Sequence, residues 1–231
     1  MASVNIHCPR CQSAQVYRHG QNPKGSDRFR CRDCHRVFQL TYTYQARKPG
    51  MKEMITEMAF NGAGVRDTAR TLKIGINTVI RTFKKLAPTQ ITSSPVAHAD
   101  VALICELDEQ WSYVGSKARL HWLWYAYNTK TGGVLAYTFG PRTDQTCREL
   151  LALLTSFNIG MLTSDDWGSY GRVVPKNKYL TGKIFTQRIE RNNLTLRTHI
   201  KRLARKTICF SRSVEIHEKV IGAFIEKHIF Y

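Results

Sequence analysis

Acidic side chains are scarce in this chain: 17 Asp and Glu stand against 35 Lys and Arg in 231 residues, leaving a formal charge of +18. A field of that sign gathers polyanions, nucleic acid being the commonest partner and an anionic membrane surface the main rival. Long apolar runs are missing as well. With no stretch of about 18 apolar residues, no segment is predicted to span a bilayer. The opening MASVNIHCPRC lacks the charged start and apolar stretch of a secretion signal, so the expected address is cytoplasmic. A paired disulfide framework is also absent, because seven cysteines, an odd number, fit a reducing compartment with metal-bound or free thiols. The length suffices for one sizeable core plus small modules.

Four of the cysteines are grouped. CPRC places Cys8 and Cys11, CRDC places Cys31 and Cys34, and 19 residues separate the two knuckles. Each knuckle lets two thiolates reach one ion from a tight turn, and together they close a tetrahedral shell, which predicts a structural zinc site. The intervening YRHGQNPKGSDRFRC offers turn residues and short aromatic strands, hence a zinc ribbon over 1–45, too small to fold without a metal staple. His7 and His35 read as bystanders. Arg10, Arg28, Arg30, Arg32 and Arg36 surround the site and suit phosphate contact. Cys105, Cys147 and Cys209 read as small core residues.

Residues 46–87 hold three helical patches: Met51, Met54, Ile55, Met58; then Val65, Thr68, Ala69, Leu72; then Ile76, Val79, Ile80, Phe83. Gly62 and Gly64 separate the first pair, and Gly75 falls where the second turn must bend. This is a helix-turn-helix layout. Its third helix would enter the major groove, with Asn77, Thr78 and Arg81 toward bases and Lys84 and Lys85 toward phosphates. Residues 88–100 lose periodicity, carry two prolines and read as a linker.

From 101 to 231 the pattern turns to strands: VALICELDEQW, then HWLWYAYN, then GVLAYTFG as its hairpin partner. RTDQTCRELLALLTSF predicts an amphipathic helix capped by Thr143 or Asp144, with Cys147, Leu150, Leu151 and Leu154 inward; NIGMLTS returns to strand. Three strands, a helix and a fourth strand open a ribonuclease H-like α/β fold, so the whole chain reads as a multidomain α+β protein. Asp108 then lies toward the end of the first strand and Asp165-Asp166 at the end of the fourth, as neighbours. Glu190 stands alone among eleven Lys and Arg from Arg172 to Lys206. On the helix read from ERNNLTLRTHIKRLARK, Ile189, Leu196, Ile200 and Leu203 form the buried stripe, and Glu190, Asn193, Leu194, Arg197 and Lys201 run down the adjoining face. Three converging carboxylates need cations, and hard oxygen ligands select magnesium or manganese. Two such ions about 4 Å apart suit phosphodiester displacement.

Taken together, LDEQWSYVG, TSDDWGSYG and ERNNLTLRTHIKRLARKT, behind CPRC, CRDC and GVRDTARTLKIGINTVIR, resemble the transposases of bacterial insertion sequence one, the InsAB-type fusion of two reading frames. The resemblance runs along essentially the whole chain. It implies an enzyme that binds terminal inverted repeats, cuts them and joins them to target DNA through a DDE triad on Asp108, Asp165 and Glu190, with Arg197 or Lys201 as basic helper. It implies bound zinc and magnesium or manganese, an oligomer of at least two copies, and a place at the bacterial nucleoid. The doubled Asp leaves the second ligand open; Asp165, directly after the strand, ranks first, and Asp166 is assigned the cap of the following turn. The alternatives are a non-catalytic zinc and helix-turn-helix regulator, or a structure-selective nuclease of the same fold. The tail SVEIHEKVIGAFIEKHIFY, with Val220, Ile221, Phe224 and Ile225 on one face, reads as core or subunit contact.

Overall fold

The structure is a computed structural model that describes residues 5–23, 25–40, 44–93, 102–205 and 209–230. It divides into two compact units, Met1–Lys48 and Pro49–Tyr231. In the first, β1 (Val16–Gln21), β2 (Asp27–Cys31) and β3 (Val37–Phe38) form an antiparallel meander. Its apolar content is small: Phe29 meets Phe38 at 6.1 Å, and Arg32 lies over Tyr17 at 5.4 Å. Those contacts alone are a thin core for a sheet of this size.

The second unit begins with α1 (Met51–Phe60), α2 (Val65–Leu72) and α3 (Ile76–Lys85), the expected three helices. The bend between α2 and α3 departs from expectation. Lys73 adopts the left-handed conformation at φ 54°, whereas Gly75 is extended at φ −72° and serves as N-cap of α3. A C-terminal left-handed residue ends α2, so Gly75 need only start the next helix. Gly62, at φ +82°, is required twice over, since a β-carbon there would collide with Lys201 and Cys209.

A five-stranded sheet follows, built from β4 (Leu103–Tyr113), β5 (Leu120–Asn128), β6 (Gly133–Gly140), β7 (Ile159–Ser164) and β8 (Tyr179–Thr181). The spatial order is β6-β5-β4-β7-β8; the first three are antiparallel, and β7 and β8 run parallel to β4. This is the mixed sheet of the ribonuclease H-like arrangement. The helices are α4 (Asp144–Leu154), capped by the Thr143 hydroxyl, α5 (Gly168–Val173), α6 (Gln187–His199) and α7 (Val214–His228). Of the segment read as a linker, residues 94–100 lie outside the described residues. Before them, Ile91 bridges to Ala136 and Thr92 donates its N–H to the Leu135 carbonyl, so this stretch runs along the β6 edge.

Each sheet face covers one core. On one side Cys105, Leu107, Trp124 and Leu135 pack on Cys147, Leu150 and Leu154 of α4. On the other, Leu123, Tyr125 and Tyr137 join Ile189 and Leu196 of α6, Val220, Ile221, Phe224 and Ile225 of α7, and Met51, Ile55, Phe60, Val79 and Phe83 of the three-helix segment. The α7 stripe is therefore core, and it welds the helix-turn-helix to the sheet. Phe60 meets Phe224 edge-on at 5.1 Å, and Lys227 pairs with Glu57. Among the described residues no helix is long and apolar enough to cross a membrane.

Candidate active site and nucleic-acid interface

The four knuckle cysteines bring their sulfurs together: Cys8 and Cys34 stand 3.5 Å apart, Cys11 and Cys31 3.6 Å, and all four Sγ atoms lie within 4.8 Å of one another. A tetrahedral ion with metal–sulfur bonds of about 2.3 Å needs sulfur edges of about 3.8 Å. The donor set therefore fits a single metal ion. Backbone turns make the geometry, with Arg10 N–H donating to the Cys8 sulfur at 3.4 Å and left-handed Gln12 and His35 closing the knuckles. Cys105 and Cys147 are buried as expected, but Cys209 is exposed beside Gly62, a correction to its reading as core.

On α3, Val79 and Phe83 turn inward, while Asn77, Arg81, Lys84 and Lys85 are exposed and Thr78 is half-buried. Ile76, expected inward, is 45% exposed. It occupies the first position of the helix, one turn ahead of the packed stripe. The polar and basic face is thus open to a groove, the arrangement that base and phosphate contact requires.

The carboxylates are arranged by strand register. Asp108 sits in the middle of β4 opposite Tyr125, not toward its end, because β4 continues to Tyr113 before the hairpin. The parallel pairing of β7 stops at Glu106 with Thr163; Asp165, two residues on and just past the strand, lies within electrostatic reach of Asp108. Asp108 accepts the N–H of Glu109 at 2.8 Å and a side-chain bond from Asn193 of α6, whose carbonyl in turn accepts the Tyr125 hydroxyl at 2.9 Å. Burial, with the negative charges of Glu109 and Asp165 added, pushes the Asp108 carboxyl up to about 7.

In the turn after β7 the capping role expected of Asp166 falls to Asp165. Asp165 accepts the Trp167 N–H at 3.2 Å, an Asx turn, while Asp166 is exposed. A carboxylate two residues ahead of an N–H is the one that reaches it. Asp165 therefore makes the turn and still bears electrostatically on Asp108 and Glu109.

Glu190 lies in the first turn of α6, exposed, three residues before Asn193 and hence on nearly the same face. Its charge is felt by Glu106 of β4. Among the described residues only the cysteines bring three or more ligand atoms within 4.8 Å of one another, so Asp108, Asp165 and Glu190 do not converge to that degree; Asp165 reaches Asp108 electrostatically and Glu190 reaches Glu106. Their donor chemistry, carboxylate oxygens, suits a hard divalent ion. Helix α6 ends at His199, with Ile200 extended, so Lys201 belongs to the next turn rather than to the Glu190 helix; its ammonium donates to the Thr198 carbonyl at 2.7 Å. Arg197 remains on α6. Lys206 lies outside the described residues.

Several neighbours were not singled out by spacing. Glu109, on the opposite face of β4, is gripped by Arg142 at 2.7 and 2.8 Å and by the Tyr170 hydroxyl at 2.7 Å. Arg142 is sandwiched by Trp122 at 5.1 Å and Trp167 at 4.5 Å, which fixes the turn carrying Asp165. Arg205 lies over Trp111 at 4.0 Å, donates to its carbonyl and sits within electrostatic reach of Asp108 and Arg197. The repeated aromatic after each acidic motif, Trp111 and Trp167, was the available signal.

Comparison with known proteins gives three matching family models: InsA N-terminal domain over residues 1–35, InsA C-terminal domain over 42–86, and IS1 transposase over 102–231. Among curated relatives, the insertion element iso-IS1n protein InsB of Shigella dysenteriae is 92% identical over 131 residues, 57% of this chain and 100% of that one. The iso-IS1N protein InsA of the same organism is 94% identical over 84 residues, 36% of this chain and 93% of that one. The IS1 4 protein InsB of Escherichia coli K12 is 45% identical over 147 residues, 63% and 88%. One polypeptide here carries segments similar to both kinds of protein.

Proposed function

Because the chain belongs to the IS1 transposase family, we propose that this DNA-binding transposase recognises the terminal inverted repeats of its element, cleaves the ends and transfers the freed 3′ ends into target DNA. The observation that carries the reading is the electrostatic reach of Asp165 to Asp108 past the parallel β4–β7 pairing, with Glu190 a helical turn from the Asn193 that binds Asp108. Asp108, Asp165 and Glu190 would hold magnesium or manganese. Bound ions would supply activation of the attacking oxygen and charge stabilisation at the scissile phosphate. The four cysteines would hold zinc as a structural ion.

The chain's own groups do the rest. Asn193 and the Glu109 N–H fix the orientation of the Asp108 carboxylate, and the Asx turn fixes that of Asp165. Arg205, within electrostatic reach of Asp108, and Arg197, within reach of Arg205, offer positive charge where an entering phosphodiester needs it. Lys201, just past α6, contributes to the backbone track. Asn77, Thr78 and Arg81 read bases; Lys84 and Lys85 and the ribbon arginines meet phosphates. Water attacks first and the liberated 3′ hydroxyl second, without a covalent enzyme intermediate. Action on two paired ends calls for at least a dimer.

The test is purified protein with magnesium and a labelled terminal-repeat duplex, assayed for cleavage and for joining into a plasmid. Glu190→Gln should bind the duplex normally and give no products. Normal strand transfer by that variant would remove Glu190 from the triad. Wild-type binding without metal-dependent products would favour a regulator, and cleavage without joining a nuclease.

A further inference from the structure

Helix α6 begins without a cap of its own. Its N-cap residue, Thr186, makes no side-chain bond to the helix; its hydroxyl donates back to the Lys183 carbonyl at 3.3 Å. The first N–H groups of a helix need acceptors, more so when buried. Here one arrives from another element: the carboxylate of Glu106, only 4% exposed in the middle of the sheet, accepts the N–H of Ile189. Glu106 is two residues before Asp108 on the same face of β4.

The two acids make a matched pair of attachments. Glu106 binds Ile189 and Asp108 binds Asn193, so two residues along the strand correspond to four along the helix. Two strand residues rise about 6.6 Å and four helical residues about 6 Å, so α6 can run beside β4 in the same direction while making both bonds. Glu190 falls between the two attachments, immediately after Ile189. A buried carboxylate within a sheet is costly unless it is bonded, and a neutral residue would fill that space more cheaply. Its use here is to fix the height and rotation of one helix end.

We propose that Glu106 is a positioning residue of the transposition site: it caps α6 from the neighbouring strand and thereby sets where Glu190 stands relative to Asp108. The inference rests on the reading of Glu190 as the third acid. It assigns Glu106 no contact with DNA or with a metal.

The test compares wild type, Glu106→Ala, Glu106→Gln and Glu190→Gln in the full-length chain. Amide hydrogen exchange without divalent metal reads the cap, and magnesium-dependent cleavage of a terminal-repeat duplex reads its consequence. Glu106→Ala should speed exchange about tenfold across residues 187–193, with α4 unchanged, the size expected for loss of one charged cap. Its cleavage rate at saturating DNA should fall by about tenfold or more with the KM for DNA unchanged, since a misplacement of about 1 Å at an acid is enough for that. Glu106→Gln keeps a carbonyl acceptor and should restore protection and most of the rate. Unchanged exchange across 187–193 in Glu106→Ala would overturn the proposal, as would faster exchange with undiminished cleavage. If Glu106→Ala loses protection throughout, Glu106→Gln decides: protection retained with cleavage abolished would mean that the charge itself is needed, and positioning would be wrong. Normal cleavage by Glu190→Gln would refute the triad reading separately, because the exchange result does not depend on it.

Discussion

His217 is sealed in the second core, its two ring nitrogens 3.0 Å from the Ser112 hydroxyl and 2.9 Å from that of Ser211. Burial, helped by neighbouring His121 and Arg202, pushes its pKa down to about 3. The ring is thus neutral in the folded chain at every pH where an unfolded histidine, titrating near 6.5, begins to gain a proton. Acidification therefore favours unfolding, by about 1.4 kcal/mol per pH unit from about 6.5 down toward the folded value. The expected result is that wild type loses melting temperature relative to His217→Gln as pH falls from 7 to 5; parallel curves would contradict it. Glu109 is a second buried acid: desolvation pushes its carboxyl up, and the Tyr170 hydroxyl and Arg142 pull against that rise. Arg142→Ala would leave that carboxylate, 2% exposed, with only Tyr170, and should cost about 2–3 kcal/mol in denaturant unfolding. Arg142→Lys should recover part, but without the stacking on Trp122 and Trp167 that only a planar guanidinium makes.

At the scale of elements, α7 matters most. Phe224, Val220, Ile221 and Ile225 are buried against both the three-helix segment and the sheet, so one helix serves two modules. Phe224→Ala should destabilise the second unit by about 3–4 kcal/mol. Loss of DNA binding and of cleavage should accompany it at the same denaturant concentration; separate midpoints would show that the modules unfold independently. Strands β4 to β7, α4 and the three DNA-binding helices were legible because local periodicity and caps such as Thr143 dictate them. The end of α6 was not. Ile200 and Leu203 continue the buried stripe at helical spacing although the backbone leaves the helix at Ile200, so the pattern outlasts the element. Similarly, the acids at 108, 165 and 190 stand out by composition, but the Asx turn at Asp165 and the attachment of Glu109 to Arg142, 33 residues away, depend on the fold that brings them together.

For the whole molecule, the division at Lys48 separates two kinds of stability. The second unit has two continuous cores; the first has a three-stranded meander, a few aromatic contacts and four converging cysteines. Zinc bound at those sulfurs would contribute folding free energy directly, because the thiolate site does not exist in the unfolded chain. Chelation should then act on one unit alone. Adding a strong zinc chelator is expected to release one zinc per chain and to raise amide exchange throughout 5–40, leaving protection in β4, β5 and α7 unchanged. Cys31→Ser should reproduce this without chelator and weaken DNA binding, most at high salt, where fewer phosphate contacts remain effective. Retained stoichiometric zinc in that variant would rule out the four-cysteine site. Collapse of protection in both units together would mean that the ribbon supports the remainder of the chain, which the separate cores of the second unit give no reason to expect.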